Sequence, residues 1–129
     1  MRGYLAVTPK VLGDFLAHGT GRFASAYITT RFFFQEYPEV DEEEREFELS
    51  WLAAQDSRGQ QGSDASLGFV LAVDLLGAQT GSEMGNEIEL LSDISWPQVE
   101  SLLVAETAEA ELTWYASQEI AEHIRQWMI

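Results

Sequence analysis

MRGYLAVTPKVLGDFLAHGTGRFASAYI, residues 1–28, holds the densest run of structural signals in the chain. Arg2 to Val7, with Tyr4, Leu5 and Val7, reads as a short buried strand. Thr8-Pro9 then opens a helix: threonine caps free amides, and proline at the first helical position loses no hydrogen bond and has a helical φ already. Val11, Leu12, Phe15 and Leu16 form one apolar stripe at helical spacing. His18-Gly19 closes the helix, with glycine where a left-handed residue is needed and histidine at the negative end of the dipole. Phe23 to Ile28 is a second strand. A right-handed strand–helix–strand crossover places the two strands parallel in one sheet.

Outward from this unit the pattern continues. Thr29-Thr30-Arg31 leads into Phe32-Phe33-Phe34, which predicts one helical turn. Asp41 with Glu44 has capping-box spacing, and Asp41, Glu42, Glu43, Glu44, Glu46 and Glu48 load the positive end of the next helix with carboxylates. That helix is expected to begin in solvent, to turn Phe47 and Trp51 to the core, and to end near residues 56–59. Residues 57–66 and 77–85 read as polar, glycine-containing loops. Leu67 to Leu75 and Glu87 to Leu90 read as strands paired in an antiparallel hairpin with a long loop. Ser95-Trp96-Pro97-Gln98 opens a single helical turn, and Ser101 to Ala105 a fifth, central strand. Thr107 caps a last helix to about Trp127, with Leu112, Tyr115, Ala116, Ile120 and Ile124 on its stripe. The expected fold is α/β (α+β): a two-layer sandwich with a mixed five-stranded sheet, ordered β-α-β-α-β-β-β-α, in one domain over 1–129.

Composition bounds the function. At 129 residues the chain is one domain long. With 46% hydrophobic residues it has ample core material, unlike a disordered acidic chain. It has no cysteine, which excludes disulfides, thiol nucleophiles and thiolate metal sites. Pro9, Lys10, Asp14 and His18 interrupt any leader-like apolar run. The longest apolar stretch, Phe69 to Val73, falls far short of the ~20 residues of a membrane helix. A cytoplasmic protein is expected.

Seven basic residues face twenty-two acidic ones, a net charge of −15, so direct contact with nucleic acid or anionic membrane is not expected. A folded surface of roughly 7,000 Å² carries about one net charge per 450 Å². A DNA duplex carries about one per 100 Å². A nucleic-acid mimic would therefore need its carboxylates gathered on one side.

Catalytic constellations are sparse. Glu119 and His123 stand four apart on the last predicted helix, a spacing that allows a carboxylate-oriented imidazole but reads better as an ordinary helical pair. His18-Gly19-Thr20-Gly21-Arg22 has the glycines of a phosphate loop but follows a helix and precedes a strand, the wrong context. Gly81-Ser82-Glu83-Met84-Gly85 lacks the spacing of a nucleophile elbow. The four tryptophans, at 51, 96, 114 and 127, read as packing. No metal site, cofactor or catalytic set is expected. If the first, second and fifth strands run parallel, Thr8, Lys10, Thr30, Arg31 and Thr107 converge at their carboxyl ends and suit a small anion.

Met1-Arg2-x-Tyr4-Leu5 with Thr8-Pro9, Ala26-Tyr27-x-x-Thr30, the run Asp41-Glu42-Glu43-Glu44 leading to Glu46-Phe47, and Trp96-x-x-Val99 together resemble an uncharacterised actinobacterial family of small acidic proteins, a domain of unknown function. The resemblance spans nearly the whole chain and implies no catalytic residue. The reading that follows is a non-catalytic interaction or regulatory protein whose acidic surface, centred on Asp41, Glu42, Glu43 and Glu44, binds a protein partner. A ligand-binding domain or enzyme using the strand-end site is the second reading, and an acidic nucleic-acid mimic the third.

Overall fold

The computed structural model describes residues 1–62, 67–106 and 112–127. Its strands are β1 (Arg2–Val7), β2 (Thr20–Gly21), β3 (Ser25–Tyr27), β4 (Gly68–Asp74), β5 (Thr80–Met84), β6 (Glu87–Leu90), β7 (Ile94–Ser95), β8 (Val99–Ala105) and β9 (Leu112–Ala116). Its helices are α1 (Pro9–His18), α2 (Arg31–Glu36), α3 (Glu42–Gln61) and α4 (Ile120–Trp127). Seven strands form one sheet in the order β5-β6-β3-β1-β4-β8-β9, and every neighbouring pair is antiparallel. The fold is α+β, with a wholly antiparallel sheet in place of the expected mixed, five-stranded one.

The opening unit forms with the expected ends. Thr8 Oγ1 accepts from the Val11 amide at 3.2 Å, Pro9 takes the first helical position, and Gly19 closes α1 at φ 76°. Its direction differs from expectation: β3 runs antiparallel to β1, with Tyr4 opposite Tyr27. The reason lies in Thr20 to Ala24. This stretch doubles back along α1, pairing as β2 with β7 and setting the Phe23 ring 5.5 Å from that of Phe15. The chain thus returns to the end of the sheet where α1 began, and β3 must descend beside β1.

The sheet is covered on both faces, so the molecule has three layers where two were expected. Leu5, Val7, Phe69, Leu71, Val73, Leu102 and Val104 point to one side, where Leu12 and Phe15 of α1 and Ile120 of α4 cover them. Tyr4, Val70, Ala72 and Ala105 point to the other, under Phe33 of α2 and Leu49, Ala53 and Ala54 of α3. This double burial explains why β4 is apolar at successive positions: a strand with one wet face would alternate. The expected hairpin between β4 and β6 does not form. β4 lies between β1 and β8, while β6 pairs with β3 and with β5, a strand built from the segment expected to be a loop. A two-residue turn joins β5 to β6, and Gly85 takes φ 60° there, a conformation open to glycine.

α3 seats itself through small side chains. Its buried residues are Leu49, Ser50, Ala53, Ala54 and Ser57, spaced i, i+1, i+4, i+5, i+8. The helix approaches β4 so closely that a Cβ on Gly68 would meet the Ala54 carbonyl oxygen. Phe47 and Trp51 fall beside this seam: Phe47 is 39% exposed and Trp51 half-buried, contrary to the expectation that both face the core. The chain end also differs. Leu112 to Ala116 is the edge strand β9, paired with β8 in the register Leu103 to Trp114, and helix resumes only at Ile120. β8 is therefore next to the edge strand, and β1 holds the centre. The expected Thr107 cap lies outside the described residues.

Candidate functional site

The antiparallel topology decides the strand-end site. Thr8 and Lys10 follow the end of β1 that lies beside Phe69 and Val104. Thr30 and Arg31 follow β3, which runs antiparallel to β1 and so finishes at the opposite end of the strands. The fold does not bring these four residues together, and Thr107 lies outside the described residues. Each one present has a local duty or faces solvent. Thr8 caps α1; Thr30, buried, accepts from the Phe33 amide at 3.2 Å and donates to the Gly85 carbonyl, tying α2 to the β5–β6 turn. The Arg31 amide is held by Glu83 Oε1 at 2.8 Å, and the Lys10 and Arg31 residues are exposed.

The histidines are likewise placed by packing. His18 Nδ1 lies 2.7 Å from the Asp14 carbonyl at the end of α1. Glu119 Oε1 accepts from the Ala116 amide at 3.0 Å, capping the turn before α4, while the His123 ring stacks 6.0 Å from Trp127 and lies tilted 5.0 Å from Tyr115. Among the described residues no group of three or more His, Asp or Glu stands where it could hold a metal ion, and no helix is long and apolar enough to cross a membrane. Trp96 sits edge-on to Phe15 at 5.1 Å and Trp127 edge-on to Phe69 at 5.4 Å, both as packing residues. Trp114, at 60% exposure on the edge strand β9, does not pack as the sequence suggested.

One surface combines features that the rest of the molecule keeps apart. α2 plugs Phe33 into the core, which leaves Phe32 and Phe34 on the outside, and the Tyr37 ring lies tilted against that of Phe33 with ring centres 5.0 Å apart. A short turn through Pro38 reaches Asp41, whose Oδ1 accepts from the Glu44 amide at 2.9 Å and starts α3. At the start of α3, Asp41, Glu42, Glu43 and Glu44 are all exposed, as the sequence implied. Where the connection after α2 meets the first turns of α3 lies a groove of about 550 Å³ lined by Tyr37, Val40, Glu43, Glu44, Phe47 and Glu48. Its floor is aromatic and aliphatic and its rim is three carboxylates. Sequence reasoning found the carboxylates and missed Tyr37 and Phe47. The overlooked signal was the seam of small residues, which fixes the phase of α3 and turns Phe47 outward.

Electrostatically this face is one-signed. Residues 36–48 contain eight carboxylates and a single cation, Arg45. Arg45 is spent within the fold: its guanidinium carbon lies 4.7 Å from the centre of the Phe34 ring, and Nη1 donates to the Val40 carbonyl at 3.1 Å. Glu46 and Glu100 share Arg2, at 3.5 and 2.7 Å. Those two carboxylates, with the hydrogen bond to Glu100 foremost, hold the Arg2 guanidinium above its ordinary pKa. Beneath them, burial and then Glu46 push the Tyr4 phenol up to about 12.

The fold and this face define an α+β protein with a double-covered antiparallel sheet and an acidic, aromatic groove. The chain belongs to a family of unknown function (DUF6912), which it matches over residues 1–111. No curated protein and no solved structure matches it. The family match spans the groove and stops short of β9 and α4.

Proposed function

We propose that the protein is a non-catalytic, cytoplasmic interaction protein that binds a basic segment of a protein partner in the groove between the α2–α3 connection and the start of α3. The observation that carries this reading is the groove itself: exposed aromatic side chains beside carboxylates that form no salt bridge among the described residues, at the start of α3. Aromatic side chains are costly to leave in water and are the residues most often found as anchors in protein interfaces. A carboxylate rim steers a cationic partner and rejects an acidic one. Further carboxylates are scattered elsewhere, on β4 (Asp74), β6 (Glu87, Glu89), β8 (Glu100) and α4 (Glu122). That spread favours a local binding face over a nucleic-acid mimic, which needs its charge in one array.

The test is capture from cell extract by the native chain and by a Glu43→Gln/Glu44→Gln/Glu48→Gln variant, at low and high salt. A protein held by the native chain at low salt, released by salt and absent from the variant is the expected result. Equal capture by both chains, or none by either, overturns the reading.

A further inference from the structure

The fold already contains a worked example of what this surface holds. In a recess of about 450 Å³ beside the groove, the Arg45 guanidinium lies 4.7 Å from the Phe34 ring centre, with Glu42 and Glu46 also lining the recess. Arg58 repeats the theme on the same helix, 5.8 Å from the ring centre of Trp51. The groove next door has the same parts minus the cation: Tyr37 and Phe47, at 45% and 39% exposure, with Glu43, Glu44 and Glu48. None of its lining residues is basic.

We infer that the groove is a pocket for an arginine side chain of the partner, stacked on Tyr37 or Phe47 and paired with the carboxylates of Glu43, Glu44 and Glu48. This rests on the proposed partner-binding role and specifies the residue recognised. Arginine fits better than lysine for two reasons. Its planar guanidinium stacks on an aromatic face and is more weakly hydrated, so that less is lost on leaving water. Its fork of N–H donors can engage one carboxylate with two parallel bonds, and here three carboxylates border one groove. Val40 and the stem of the incoming side chain supply apolar contact, since the methylenes of arginine pack on such a floor while the head stays at the rim.

The probes are three capped hexapeptides, Ac-Ala-Arg-Ala-Ala-Arg-Ala-NH2 and its lysine and citrulline counterparts, titrated into the whole chain and followed by backbone NMR. The arginine peptide should shift residues 37–48 saturably. The lysine peptide should bind roughly fivefold to tenfold more weakly, through loss of stacking and bidentate pairing. The citrulline peptide, isosteric and neutral, should leave the spectrum unchanged. Phe47→Leu, which keeps an apolar group at a partly exposed position, should weaken the arginine peptide while sparing the fold. Glu48→Gln offers an independent variant at an exposed position.

Equal binding of the arginine and lysine peptides, shifts spread over every acidic surface, or indifference to both variants would overturn the inference. If capture from extract survives under those outcomes, the partner-binding role stands and only the arginine pocket falls. If capture fails as well, both fall.

Discussion

Ser57 shows how much of the fold can hang on one oxygen. Its side chain is fully buried on α3, donates to the Val7 carbonyl at 2.6 Å and accepts from the Phe69 amide at 2.9 Å. One hydroxyl thereby joins the helix to β1 and β4 where the sheet closes against it. Ser57→Ala removes the partner of a buried carbonyl and a buried amide together, and an unsatisfied buried group costs about 1–3 kcal/mol. We expect the unfolding free energy to fall by at least that much, read as a lower urea midpoint with an unchanged m-value; a loss below about 0.5 kcal/mol would show that water takes over both contacts. The tyrosines give a residue-scale prediction with a pH sign. Burial first, then Glu46, raises Tyr4 to about 12; burial first, then Asp56, which accepts from the Tyr27 hydroxyl at 3.1 Å, raises Tyr27 as well. An unfolded tyrosine ionises near pH ~10. Above that the unfolded chain sheds protons that the folded one keeps, so stability present below pH ~10 is lost as pH rises toward about 12. Phenolate absorbance should lag behind a free-tyrosine titration and then catch up as the chain unfolds. Complete ionisation near pH ~10 with the fold intact would contradict the burial.

At the scale of elements, legibility followed the strength of local punctuation. α1 could be read to the residue because Thr8-Pro9 and Gly19 are physical stops whose geometry depends on little else. β9 could not. Leu112, Tyr115 and Ala116 stand at i, i+3, i+4 and imitate a helical stripe, yet Thr113, Trp114 and Tyr115 suit a pleated surface, and pairing with β8 decides the matter. In α3 the sequence is ambiguous in phase. Its large apolar residues suggest one face, whereas close helix–sheet approach selects Ser50, Ala53, Ala54 and Ser57 for the seam and leaves Phe47 at its side. The candidate site was half-legible for the same reason: its carboxylates announce themselves, and its aromatic floor depends on that phase. Two substitutions separate the phases. Leu49→Ala, at a buried seam position, should cost about 2–5 kcal/mol. Phe47→Ala should cost no more than about 1 kcal/mol, as at other surface positions. Denaturant melts of the pair check this, and a reversed order would return Phe47 to the core and remove the floor of the groove.

For the molecule as a whole, strand order was beyond reach of the sequence because it is set by contacts between distant segments, such as β1 with β4 and β3 with β6. Net charge needed no structure at all, and it yields a prediction whose two halves have opposite signs. With −15 on the chain, the folded state gathers carboxylates that the unfolded state holds further apart. Cations do little to offset this near the groove: Arg2 is divided between Glu46 and Glu100, the terminal amine is held by Asp74, and Arg45 lies over Phe34. Raising sodium chloride from about 0.02 M to about 0.5 M shortens the screening length from roughly 20 Å to about 4 Å and so weakens repulsion between carboxylates on neighbouring elements. Thermal midpoint should therefore rise by several degrees, with chloride chosen because sulfate would stabilise by exclusion from the surface. The same salt should weaken a cationic ligand at the groove, where attraction is screened in place of repulsion. Measuring both on one sample makes the comparison internal: stability rising while affinity for the arginine peptide falls is the pattern of an acidic surface used for binding. Affinity unchanged by salt would mean that the carboxylate rim takes no part in recognition, leaving Tyr37 and Phe47 to hold the ligand by apolar contact alone.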